Sequence, residues 1–240
     1  GMAITTAVFP SLIRAAKSED KARLSSAIVR DMSLIMFFVI PSAAIAVVMR
    51  GYIVRLLFGF GDQATADTLG WLAGSIIATS LFFMIARVYY SLEDTLTPLL
   101  TSLSSIIVNI IFSIIFSSRY GVSGLGLALT ISTFYELIVL MILLKRKIGN
   151  YGYKSIGRSA LKISIASLAM SAWIYLLINR VIPLYRDDIG FTTIAPKFFV
   201  IAFSGVVVYF IAAKLLRVHE TEKILQKIMH PIKIIKRISK

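Results

Sequence analysis

The sequence has no cysteine, two histidines and few charges. Without cysteine there is no disulfide framework, no thiolate zinc site and no thiol nucleophile. His219 and His230 sit in a basic tail and read as solvated side chains rather than as metal ligands. Charged residues are 16% of the chain, where a soluble domain carries roughly 25%. The first residues carry neither a basic n-region nor an A-x-A site. Catalytic constellations are missing too. There is no Ser/His/Asp set, no Gly-rich phosphate loop with a lysine, and no acidic pair inside an apolar run. Asp187 and Asp188 stand beside Arg186 and read as solvated loop charges, and Glu93-Asp94 opens a short turn. A membrane-embedded transferase would need such a site.

What is present is apolar. Hydrophobic residues are 58% of the chain, and the mean hydropathy is +0.84. Six runs, at about 28–49, 69–91, 98–118, 122–144, 159–182 and 195–216, are each about long enough to cross a hydrocarbon core of about 30 Å as a helix. A seventh, residues 1–13, would make only about 20 Å of helix. The expected fold is therefore an all-α polytopic membrane protein with six full spans and one partial N-terminal helix. Helices satisfy every backbone amide inside lipid. The short first run leads us to expect a fragment lacking the start of that helix, with a re-entrant or interfacial segment as the alternative.

Cations divide unequally between alternate connections. Of the 26 Lys and Arg, 19 fall on the side holding 14–30, 92–97, 145–162 and the tail. Six fall on the other side, and Arg87 lies within a span. The positive-inside rule makes the first side cytoplasmic, C-terminus included. The net charge of +14 is then mostly a topology signal rather than a nucleic-acid footprint, and no nucleic-acid partner is expected. Residues 217–240 set Ile224, Leu225, Ile228, Ile232 and Ile235 at helical spacing among lysines, interrupted by Pro231. This reads as an amphipathic segment on an anionic leaflet, or as a basic, partly disordered tail.

Polar residues inside spans are costly, so each one matters. Glu136 reads as the only acidic residue well inside a full span. It would face a cavity, be protonated, or pair with a partner such as Arg87. Arg87 sits near a span end and would otherwise snorkel to the headgroups. Asn109, Ser113, Ser132 and Thr133 would bond neighbouring helices. Many spans, short loops and sparse polar groups point to a transporter rather than an enzyme.

Three stretches carry a family resemblance: "RLLFGFGDQATADT" (55–68), "ARVYYSLEDTLTPLL" (86–100) and "GLGLALTIST" (124–133). In order and spacing they resemble the conserved blocks of the MurJ/MviN family of lipid II flippases, within the multidrug/oligosaccharidyl-lipid/polysaccharide exporter superfamily. The turn Asp94-Thr95-Leu96-Thr97-Pro98 is the most specific of them. Asp94 and Thr95 suit backbone bonds at a tight turn, and Pro98 suits the first turn of a helix. Gln63 replaces a family aromatic.

The resemblance implies a second lobe of a two-lobe flippase fold. Residues 1–145 would be family helices 8 (its end) to 12, and 146–216 two extra C-terminal helices flanking a groove for an isoprenoid tail. Residues 217–240 would be the cytoplasmic tail. It implies movement of an undecaprenyl-diphosphate-linked peptidoglycan precursor, lipid II, from the inner to the outer leaflet of the bacterial cytoplasmic membrane by alternating access. The expected partners are that substrate, membrane lipids and the missing N-terminal lobe. Arg14, with Pro10 and Leu12, matches the family's P-x-L-x-R motif and would fork onto the pyrophosphate, with Arg87 and Glu136 as weaker substrate-binding candidates. A sodium ion is the one implied cofactor, at Asn109, Ser113 and Ser132 or Thr130. Competing expectations are a flippase for another lipid-linked oligosaccharide, such as an O-antigen or capsule unit, and a non-transporting scaffold of the cell-wall machinery.

Overall fold

The computed structural model describes residues 6, 10, 12–16, 20–59, 61–184, 191–218 and 221. The described part is helical. Residues 12–16 form a helical turn. Then come α1 (Lys21–Val48), α2 (Arg50–Phe58), α3 (Gln63–Ser91), α4 (Leu96–Tyr120), α5 (Val122–Ile148), α6 (Tyr153–Arg180) and α7 (Phe191–Leu215). All except α2 are long and apolar enough to cross a membrane, as the apolar runs predict, and the protein is a multi-pass membrane protein. The runs underestimate helix length at the polar ends. Polar residues there cap and extend helices without adding hydropathy. Asp20 caps α1 by accepting from the N–H of Ala22 (2.9 Å) and of Arg23 (3.2 Å). Asp62 caps α3 through the N–H of Thr65 at 2.9 Å. The short α2, which hydropathy leaves inside a connection, ends on Gly59 with φ 76°, a left-handed stop.

The long helices pack in a spatial order that differs from the chain order. α4 lies on α5, α5 on α3, α3 on α1, α1 on α6, and α6 on α7, while α2 touches α1, α3 and α7. Tyrosine hydroxyls reach main-chain carbonyls across these contacts. Tyr89 of α3 donates to Leu140 of α5 (3.2 Å), Tyr209 of α7 to Phe37 of α1 (2.7 Å), and Tyr52 of α2 to Ile182 (2.6 Å). Each hydroxyl gains a partner in an apolar setting, where an unmade bond is expensive. Contacts between connections lie at the helix ends. Lys147 pairs with Asp94, and Leu92, Asn150 and Tyr151 share a cavity with Ala15 and Asp20. Connections placed on the cation-rich side by the sequence thus meet at one end.

α4 is built inside-out relative to a helix in water. Its buried residues are Pro98, Thr101 and Ser105, while leucines and isoleucines from Leu96 to Ile115 are exposed. Helix association in lipid uses close packing and hydrogen bonds rather than burial of apolar stripes. The α4–α5 hairpin turns on one residue, Gly121, at φ 58° and ψ −138°, which a side chain would strain. Gly124 then lets the two backbones touch: a Cβ there would lie 2.3 Å from the carbonyl oxygen of Phe116.

Candidate functional site

Glu136, Asn109 and Ser132 gather with Ser102 and Ser105 in a seam between α4 and α5. Ser102 Oγ donates to Glu136 Oε1 at 2.5 Å, Ser105 Oγ to the Ser132 carbonyl at 2.9 Å, and Asn109 Nδ2 to Ser132 Oγ at 3.1 Å. Ser132 Oγ passes its own proton to the Leu129 carbonyl at 2.9 Å. These residues recur at three- and four-residue intervals and so share one helix face. Glu136 finds its partner in Ser102. It makes no ion pair among the described residues, so the expected Arg87 pairing does not form. Arg87 instead donates from Nη2 to Thr6 Oγ1 at 3.0 Å, tying α3 to the first segment.

The sodium candidates separate. Thr130 Oγ1 donates to the Trp71 carbonyl at 2.6 Å and belongs to the α3 contact, so the hydroxyl that meets Asn109 is Ser132. Ser113 is half-buried, and its hydroxyl makes no hydrogen bond among the described residues. The candidates Asn109, Ser113 and Ser132 therefore offer only neutral oxygens, with the Ser132 hydroxyl already engaged as donor and acceptor. No described group of three or more acidic, His or Cys side chains is placed to hold a metal. This donor set does not by itself fit a cation.

Arg14 is exposed on the 12–16 turn. Leu12 (0% exposed) and Ala15 hold that turn in the core. Pro10 is exposed. In the Asp94 turn, Asp94 Oδ1 accepts from the N–H of Thr97 at 3.0 Å and Oδ2 from the Thr97 hydroxyl at 2.8 Å. Thr95, expected to share this work, makes no capping bond with its side chain. Pro98 is buried in the first turn of α4. Asp94 also takes the Lys147 ammonium. That contact first, and then the Thr97 N–H and hydroxyl, lower its pKa to about 2. His219, His230, Asp187, Asp188 and the apolar stripe of the tail lie outside the described residues.

One charged residue escaped the sequence reading. Asp31, well inside α1, is 1% exposed. Glu136 is therefore not the only carboxylate inside a span. Asp31 Oδ1 accepts from Arg30 Nε at 2.8 Å, while its buried Oδ2 has no hydrogen-bond partner among the described residues. Hydropathy hid the pair because Arg30 was counted with the preceding basic connection. The adjacency of Arg30 and Asp31 just inside an apolar run was the available signal.

The model of the family "Lipid II flippase MurJ" matches residues 1–195. A "Probable lipid II flippase MurJ" of Thermotoga maritima is 28% identical over 236 residues, covering 96% of this chain and 45% of that protein. Its namesake in Borreliella burgdorferi is 25% identical over 152 residues, covering 60% of this chain and 30% of that protein. A solved structure, "Lipid II flippase MurJ, inward closed conformation", shares the fold. Its TM-score is 0.68 at 23% identity, over 88% of this chain and 42% of that one. The chain thus spans less than half the length of these relatives. With the family match running over most of its residues, and the same helical architecture, the chain belongs to the lipid II flippase MurJ family.

Proposed function

We propose that these helices form the second lobe of a flippase. It would move undecaprenyl-diphosphate-linked peptidoglycan precursor from the inner to the outer leaflet of a bacterial cytoplasmic membrane. The family match over residues 1–195 carries this reading. The lipid does not change chemically; the protein supplies a polar route and two alternating shapes. Cations gathered at one end of the bundle support a cytoplasmic placement of that end, and of the C-terminus with it.

In this reading Arg14 binds pyrophosphate. Its guanidinium is exposed, while Leu12 anchors the segment that carries it. Planar paired donors match phosphate oxygens better than an ammonium does. Arg87 would set the position of that segment through Thr6 rather than meet substrate. Exposed apolar side chains on α6 and α7, among them Leu161, Leu168, Phe199 and Phe203, suit an isoprenoid tail. The α4–α5 seam supplies a hydrogen-bonded joint within the lobe.

The test is survival of cells depleted of their own lipid II flippase and supplied with a full-length, two-lobe flippase gene that includes these 240 residues. Arg14→Ala is expected to abolish rescue, with Arg14→Lys giving partial rescue or none. Wild-type growth with Arg14→Ala sinks the anion-ligand role. The 240 residues alone, in vesicles, are expected not to flip lipid, and robust flipping by them would overturn the one-lobe reading.

A further inference from the structure

A cavity of about 460 Å³ opens between α3, α4 and α5 at the cation-rich end. Thr97, Leu100, Thr101 and Ser104 of α4 line one wall, and Arg146 and Lys147 of α5 the other. The cations next to one another in sequence have different neighbours. Lys145 lies 4.5 Å above the Tyr153 ring, and Lys147 is held by Asp94. Arg146 is exposed, and its side chain makes no hydrogen bond or ion pair among the described residues. With Asp94 offsetting Lys147, the mouth keeps the charge of Arg146. The hydroxyls inside have committed their protons: Thr97 to the Asp94 carboxylate at 2.8 Å, Thr101 to the Pro98 carbonyl at 2.8 Å and Ser104 to the Thr101 carbonyl at 2.7 Å. Their oxygens remain acceptors. From Leu100 an exposed apolar stripe runs along α4 through Ile107 and Ile111, at the spacing of one helix face.

A cationic mouth, acceptor oxygens behind it and an apolar stripe leading away toward the bilayer centre match one kind of molecule. We propose that this cavity is a binding site for an anionic glycerophospholipid of the adjoining leaflet. The phosphate would sit on Arg146 and Lys147, headgroup hydroxyls would meet Ser104 and Thr97, and an acyl chain would lie on Leu100, Ile107 and Ile111. Basic pockets between membrane helices bind anionic headgroups on this principle. The site does not depend on lipid II transport, nor on which leaflet the cation-rich end faces.

The test is native mass spectrometry of the protein released from equimolar phosphatidylglycerol and phosphatidylcholine nanodiscs. Wild type is expected to retain phosphatidylglycerol preferentially. Arg146→Ala is expected to lower that retention about fivefold, the weight of one cation at an anionic surface. Arg158→Ala removes an exposed cation from α6 at the same end and is expected to change nothing. Ser104→Leu fills the cavity without altering charge and is expected to lower retention as well. Equal losses in Arg146→Ala and Arg158→Ala would reduce the effect to diffuse surface charge and overturn the site. So would unchanged retention in Ser104→Leu, or displacement of the lipid by inorganic phosphate. Absence of any lipid preference in wild type, as when another protein segment fills the cavity, also overturns it.

Discussion

Lys147, in the last turn of α5, is ion-paired with Asp94, in the turn that joins α3 to α4. This contact closes the end of a three-helix group, because α5 lies between α3 and α4 in the packing. The same carboxylate receives the Thr97 N–H, so one side chain caps α4 and holds α5.

The Asp94 pKa, lowered to about 2, has a pH consequence. A carboxylate depressed on folding contributes stability that is present above its unfolded pKa of about 3.9 and is lost as pH falls through the folded value. Thermal melts in detergent are expected to show wild type losing stability between about pH 4 and 2. Asp94→Asn should be less stable at neutral pH and flatter across that window. Parallel acid curves for the two proteins would refute this.

The Arg30–Asp31 pair is expected to be strongly coupled. Arg30→Ala leaves a buried carboxylate without its partner, at a cost of about 1–3 kcal/mol. In an Asp31→Asn background the same change should cost less, because no buried charge is stranded. A double-mutant cycle read by thermal or denaturant unfolding measures the difference. Additive costs would mean that the 2.8 Å bond carries no coupling.

Glycine packing yields a ranking. At Gly124 an added Cβ meets the Phe116 backbone at 2.3 Å, whereas at Gly205 it meets the end of the Ile174 side chain at 2.6 Å. A side chain moves aside more readily than a helix backbone does. Gly124→Ala should destabilise by about 1–3 kcal/mol, and Gly205→Ala by less. The comparison needs only melting temperatures, and the reverse order would contradict the hairpin geometry.

Much of the architecture was legible in the chain. Six runs were about long enough to span, and six spanning helices formed, because run length in lipid is a direct measure of helix length. Connections assigned to the cation-rich side met at one end, because alternating spans leave no other arrangement. Asp94 as a turn-capping residue was legible too, from an acidic residue three positions before Thr97.

Other features depended on the tertiary structure. In water an apolar stripe says which face of a helix is inside. In lipid both the core and the surroundings are apolar, so hydropathy is silent about facing. The spatial order α4–α5–α3–α1–α6–α7 could not be read from it. Glu136 meeting Ser102 rather than Arg87, Ser132 rather than Thr130 meeting Asn109, and the burial of Asp31 all follow from which helix faces meet. The sequence by itself determined how many helices cross and which ends collect charge, because those depend on length and composition. Only the packing decided which polar groups find partners, because that depends on ångström-scale contact between residues far apart in the chain.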